Sequence, residues 1–229
     1  MIKKVKKVTS KKSGTTKAKV SSRVDSIVTS INKRFGDNAI ILGVGSKSAE
    51  VYKKDFISTG ILQLDADLNG GIAVGRYTEI SGAFSTTKTT LGLHVLANAQ
   101  KRGMTCALID VEGTSGDEDY LRACGVDPTK IYYCTPSSLE ELVDVLIELQ
   151  SEGKVKFALY DSIAASMATN LELNTKIGDS MRMGVPQQEL GSYFRRFQML
   201  NNKFFRNGET PFTLVAINQL REKIGAYGD

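Results

Sequence analysis

The sequence predicts an α/β fold: a mostly parallel sheet covered by helices on both faces, preceded by a short helix and strand. Three observations predict it. From residue 56 onward, short apolar runs alternate with longer stretches of helical period, and strands joined through helices are connected by right-handed crossovers that leave them parallel. The helical stretches carry their own start and stop signals. A chain of 229 residues, 41% hydrophobic, is long and apolar enough to bury one good-sized core.

The first twenty residues hold eight lysines, at positions 3, 4, 6, 7, 11, 12, 17 and 19, and no acid; taking eight from the net charge of +5 leaves the remainder at −3. A polar tract of one sign buries too little apolar surface to fold alone. Residues 1–20 are therefore expected to form a disordered basic arm, either a solubilising tail or an arm drawn to phosphates. Residues 21–55 form an appendage. There, beyond Ser22, Val24, Ile27, Val28, Ile31 and Phe35 recur at three- and four-residue steps with Gly36 as a stop, which predicts an amphipathic helix over 24–35. The apolar run 39–42 predicts one strand and 43–55 a linker.

The core is expected over 56–229. Its predicted strands are 76–80, 105–109, 156–160 and 212–217. Its predicted helices are 88–101, a segment around 188–205, and one that starts at a capping box of Ser138 and Glu141. That last helix carries Leu139, Leu142, Val143, Leu146 and Leu149 and is closed by Gly153. No internal repeat is present.

Composition narrows the chemistry. No apolar stretch approaches the roughly 18 residues of a membrane helix, and no apolar block follows the lysine-rich start, so a soluble, cytoplasmic protein is expected. Cys106, Cys124 and Cys134 lack CxxC spacing and read as reduced structural thiols. His94 is the only histidine, which argues against histidine-built metal sites and Ser/His/Asp triads. The chemistry must rest on lysine, carboxylates and backbone.

Between a predicted strand and a predicted helix lies Gly82-Ala83-Phe84-Ser85-Thr86-Thr87-Lys88-Thr89, followed by Thr90. It matches the phosphate-loop pattern GxxxxGK[ST] at every fixed position but the second glycine, where Thr87 stands. In that setting backbone amides and a helix dipole face phosphate oxygens, Lys88 reaches the β and γ phosphates, and Thr89 ligates magnesium. The plainer alternative is a turn with a lysine at a helix start. Asp110, Glu112 and Asp161 fall at or just past predicted strand ends, where ligands collect in parallel sheets. Asp161 is placed to hold a magnesium water and Glu112 to orient the attacking water.

The chain resembles the RecA recombinase family, including its phage members of the UvsX kind, from Ser22 to Gly225. The resemblance is carried by FISTGILQLDADLNGGIAVGR (56–76), MTCALIDVEGT (104–114), DYLRACGVDP (119–128), ALYDSIAA (158–165), IGDSMRMG (177–184) and AINQLREKIG (216–225). It implies a RecA-like ATPase core in a phage-encoded protein that binds ATP and Mg2+, coats single-stranded DNA and pairs it with duplex DNA. Glu112 is then the catalytic carboxylate, Asp117 and Tyr120 contact adenine, and Gln219 couples the γ phosphate to a second DNA loop. Residues 173–184 resemble the first DNA loop, with Arg182 and Met183 at the strand and Arg195 and Arg196 following as phosphate contacts. The helix 24–35 resembles a polymerisation helix that docks on an adjacent protomer, so a helical filament is expected. Two departures accompany these expectations. Thr87 replaces a glycine, which is expected to slow hydrolysis. Asp229 lies a few residues into the second DNA loop, so the core is expected to be incomplete there. A non-hydrolysing ATP-binding mediator and a phosphate-loop enzyme for small molecules are the alternative functions.

Overall fold

The computed structural model describes residues 14–41, 54–166 and 185–220, with the backbone alone over 14–24 and 185–187. The chain divides into two units, Met1–Tyr52 and Lys53–Asp229.

In the first unit, α1 spans Gly14–Phe35. It begins inside the tract expected to lack structure. Once a helix is nucleated, adding residues to it is cheap, and residues 14–20 contain no proline to stop it. Residues 1–13 lie outside the described residues. The strand expected at 39–42 is not formed over the described positions 39–41: after Gly36 the chain runs through a turn at 37–38 and a bend at 39–40. The reason is local: the Asn32 side chain donates to Ile40 O (3.1 Å) and accepts from Ile40 N (2.9 Å), occupying the main-chain groups a strand partner would need. Ile27 and Phe35 on α1 are exposed.

The second unit opens with a two-stranded antiparallel ribbon, β1 (Phe56–Ile57) and β2 (Ile72–Ala73), enclosing α2 (Leu62–Asp67). Then come β3 (Tyr77–Gly82), α3 (Lys88–Lys101), β4 (Cys106–Asp110), α4 (Glu118–Ala123), β5 (Ile131–Cys134), α5 (Leu139–Glu152), β6 (Phe157–Asp161), α6 (Val185–Arg206) and β7 (Thr213–Gln219). Strands β3 to β7 form one sheet in the order β3-β7-β6-β4-β5, every pair parallel.

The side chains explain the layers. Along β4, Cys106 and Leu108 face one side, Ala107 and Ile109 the other; β6 alternates likewise, with Phe157 and Leu159 against Ala158 and Tyr160. Leu93 and Leu96 of α3 and Leu121 of α4 cover the first face, while α5 and α6 cover the second with Leu142, Leu146, Tyr193 and Phe197. The helices change face where the chain reverses direction after β5, as right-handed crossovers require. Gly92 lets α3 lie close on β6: a Cβ there would stand 2.7 Å from Leu159 Cδ1. Parallel order brings the carboxyl ends of β3, β4, β6 and β7 to one edge, and the functional side chains gather there.

Candidate nucleotide-binding site

The loop 83–87 connects the end of β3 to the start of α3. Its backbone takes two left-handed steps on residues that bear a Cβ, Ser85 (φ +58) and Thr87 (φ +60). Thr87 stands at the N-cap of α3 without making a side-chain cap; its hydroxyl turns back to donate to Thr86 O at 2.7 Å. The first-turn amides of α3 therefore receive no cap from Thr87, and the positive end of the helix dipole faces the loop. Thr86 Oγ1 donates to Ala83 O at 2.9 Å, and Lys88 Nζ donates to the same carbonyl at 2.7 Å. Lys88 is only 9% exposed: its stem packs inward and its amine closes the loop. The ring of Phe84 is exposed at the loop's outer side.

Behind the loop, Thr89 Oγ1 donates to Asp161 Oδ2 at 2.8 Å, and Ser115 Oγ donates to the same oxygen at 2.8 Å. Two hydroxyls thus tie α3 and the loop after β4 to the end of β6. Burial holds the Asp161 carboxyl above its usual range, and the negative charges of Glu112 and Asp110 add to this, against the two hydroxyl bonds. A threonine hydroxyl beside an aspartate is a donor set that suits a magnesium ion, which takes few protein oxygens and keeps waters or phosphate oxygens. Among the described residues no group of three or more His, Cys, Asp or Glu side chains could form an all-protein cage.

The three strand-end acids differ in role. Asp110 is fully buried and shapes the loop that follows it, accepting from Gly113 N (2.8 Å) on Oδ1 and from Ser115 N (2.8 Å) and Tyr133 OH (2.9 Å) on Oδ2. Burial and this carboxylate push the Tyr133 hydroxyl up to about 12. Gly116 makes room for that ring, since a Cβ there would lie 2.8 Å from its Cε2. Glu112, carried by the loop so formed, is exposed; its Oε1 accepts from Ser162 Oγ at 2.8 Å and from Gln219 Nε2 at 3.4 Å. Gln219 reaches it because β7 pairs with β3 so that Gln219 lies opposite Gly82.

Asp117 caps α4, accepting from Tyr120 N at 2.8 Å, and the Tyr120 hydroxyl meets Thr90 Oγ1 at 2.8 Å. Lys88, Thr89, Thr90, Tyr120, Ser115, Asp161, Glu112 and Gln219 are thus linked around one strand edge. Arg195 and Arg196 are both exposed on α6, whereas Arg182, Met183 and the rest of 173–184 lie outside the described residues. Sequence reasoning missed Ser115, Ser162 and Tyr133. Isolated serines and a strand tyrosine carry no signal of their own, and only the meeting of strand ends gives them partners.

The family model described as the RecA N-terminal domain matches residues 22–229. The chain is 36% identical to Protein RecA of Rubrobacter xylanophilus over 206 residues, covering 90% of this chain and 56% of that protein. It is 35% identical to Protein RecA of Clostridium acetobutylicum over 203 residues (88% and 55%) and 36% identical to that of Helicobacter pylori strain P12 over 199 residues (86% and 54%). The chain thus spans a little over half the length of the curated relatives it matches.

Proposed function

The chain belongs to the RecA family, and from that premise we propose that it is an ATP-dependent DNA recombinase, binding single-stranded DNA as a filament and promoting pairing and strand exchange with a homologous duplex. The observation that carries the reading is the link from Thr89 Oγ1 to Asp161 Oδ2 at 2.8 Å, beside a lysine-bearing loop and the Glu112 carboxylate in the loop after the neighbouring strand. Lys88 leaves Ala83 O for the β and γ phosphates, while loop and first-turn amides donate to the remaining phosphate oxygens. Thr89 and Asp161 would hold magnesium, which would supply positive charge to offset that of the phosphates. Glu112 orients the attacking water and draws on its proton. Tyr120 stacks on the base, with Asp117 beside it. Gln219, bonded to Glu112 and placed at the end of β7, passes the state of the γ phosphate to the segment that follows.

For DNA, Arg182, Arg195 and Arg196 take backbone phosphates and Met183 wedges between bases; the exposure of the two α6 arginines supports this. The exposed Ile27 and Phe35 of α1 support a head-to-tail contact with a second copy, a contact that yields a filament when it does not close. Steady-state ATP turnover with and without single-stranded DNA tests the proposal. DNA-stimulated turnover is the expected result. Binding of ATP without turnover points instead to a non-hydrolysing mediator, and turnover indifferent to DNA to a small-molecule enzyme.

A further inference from the structure

We propose that Ser162 is a positioning residue for Glu112, holding its carboxylate in the orientation hydrolysis needs; the proposal rests on the reading of Glu112 as the hydrolytic carboxylate. Ser162 follows the last residue of β6 and is fully buried. Its hydroxyl has two partners of different kinds. The backbone N–H of Ala165, 3.2 Å away, can only donate, so the oxygen accepts there and its single hydrogen is left for Glu112 Oε1 at 2.8 Å. The direction of the bond follows from the partners.

The main chain around Glu112 is fixed on both sides. Val111 N donates to Asp161 O at 2.8 Å and Gly113 N to Asp110 Oδ1 at 2.8 Å. The side chain is exposed and, apart from Ser162, is held through Gln219 at 3.4 Å, beyond the usual range for such a bond. Among the described residues both bonds fall on Oε1, which leaves Oε2 as the oxygen to face a water molecule. Because Ser162 directly follows Asp161, one strand end sets the metal-side carboxylate with one residue and aims the hydrolytic carboxylate with the next. A catalytic group held by an interior side chain keeps its geometry better than one held by solvent-exposed partners alone.

The test is a double-mutant cycle on the full chain, read as ATP turnover with magnesium and single-stranded DNA. Ser162→Ala is expected to leave KM and ATP affinity within about twofold and to lower kcat by about ten- to a hundredfold, the range for losing one hydrogen bond to a charged group. In a Glu112→Gln background, followed through the residual hydrolysis under single-turnover conditions with enzyme in excess, the same change is expected to cost less than about twofold, because no carboxylate remains to be aimed. Equal losses in both backgrounds would mean a purely structural role and overturn the proposal, as would an unchanged kcat in the single variant. Should the alanine variant melt early, Ser162→Cys keeps the bulk with a weaker donor and carries the same cycle. A different result separates the premise from the proposal: no turnover by the unaltered chain refutes the hydrolytic reading of Glu112 itself, and this assignment with it.

Discussion

Replacing Thr87 by glycine isolates the cost of the left-handed residue at the mouth of α3. At φ +60 an ordinary L-residue loses about 1–2 kcal/mol, and a β-branched one belongs at the upper end. Two terms oppose the gain. The Thr87 hydroxyl gives up an exposed local bond to Thr86 O, worth about 0.5 kcal/mol, and glycine loosens the unfolded chain by about another 0.5 kcal/mol. About 1 kcal/mol of stabilisation remains, which for a chain of this size raises the melting midpoint by about 2–4 °C. Because the loop holds Thr87 at this φ as part of the fold, the strain is set at folding and not at nucleotide binding, so ATP affinity stays within about threefold. Calorimetric melting together with ATP titration and turnover measures all three quantities. A midpoint that falls refutes the reasoning. So does a turnover that rises about tenfold with the midpoint unmoved, since the strain would then act on the transition state, as the sequence alone had suggested for this position.

Lys88→Ala is expected to abolish ATP binding in titration and, because the amine also closes the loop on Ala83 O, to lower the melting midpoint by a few degrees. Glu112→Gln keeps ATP affinity and loses turnover, since only the action on water is removed; full turnover would reassign the carboxylate. Asp161→Asn raises the melting midpoint at neutral pH while abolishing magnesium-dependent stabilisation by ATP. The sign follows from the raised carboxyl: a group that holds its proton more tightly when folded costs stability as pH climbs past its ordinary value, and the amide removes that cost. Arg195→Ala and Arg196→Ala each lower affinity for single strands of any sequence and reduce the salt slope by about one unit; an unchanged slope leaves the pair as surface charge.

Much of the core was legible because its signals are local. The helix 88–101 matches α3 at both ends, and the expected strands 76–80, 105–109, 156–160 and 212–217 each meet an observed strand shifted by one or two residues. Of the capping box of Ser138 and Glu141 the serine half is present, with Glu141 N donating to Ser138 Oγ at 3.1 Å, while the Glu141 carboxylate accepts one residue earlier, from Ser137 N at 2.8 Å. Strand β5 was missed, although Ile131, Tyr132 and Tyr133 favour strands and lie between Pro128 and Pro136; a run of four is too short for periodicity to register. The motif placed Lys88 and Thr89 in the sequence reading, since it specifies residue types at fixed spacing, while the end of a predicted strand pointed to Asp161. The sequence reading assigned the attacking water to Glu112 and left Asp110, two residues before it and also acidic, without a role. Only the fold shows that one is interior and bonded to backbone while the other reaches out to Ser162 and Gln219.

The parallel pairing also limits where this chain tolerates a change of length. Asp110 stands opposite Asp161, and Gly82 opposite Gln219, each at the last rung of its ladder. Side chains alternate between faces at every step, so one residue inserted into β4 or β6 ahead of these rungs would turn its carboxylate from the loop side into a helix-packed layer, while the opposing strand kept its own orientation. Insertions and deletions within the strands are thus selected against more severely than substitutions there, and length variation among relatives is expected to fall in the connections on the amino-terminal side of the sheet, such as 207–211 between α6 and β7, where no rung leads to the site.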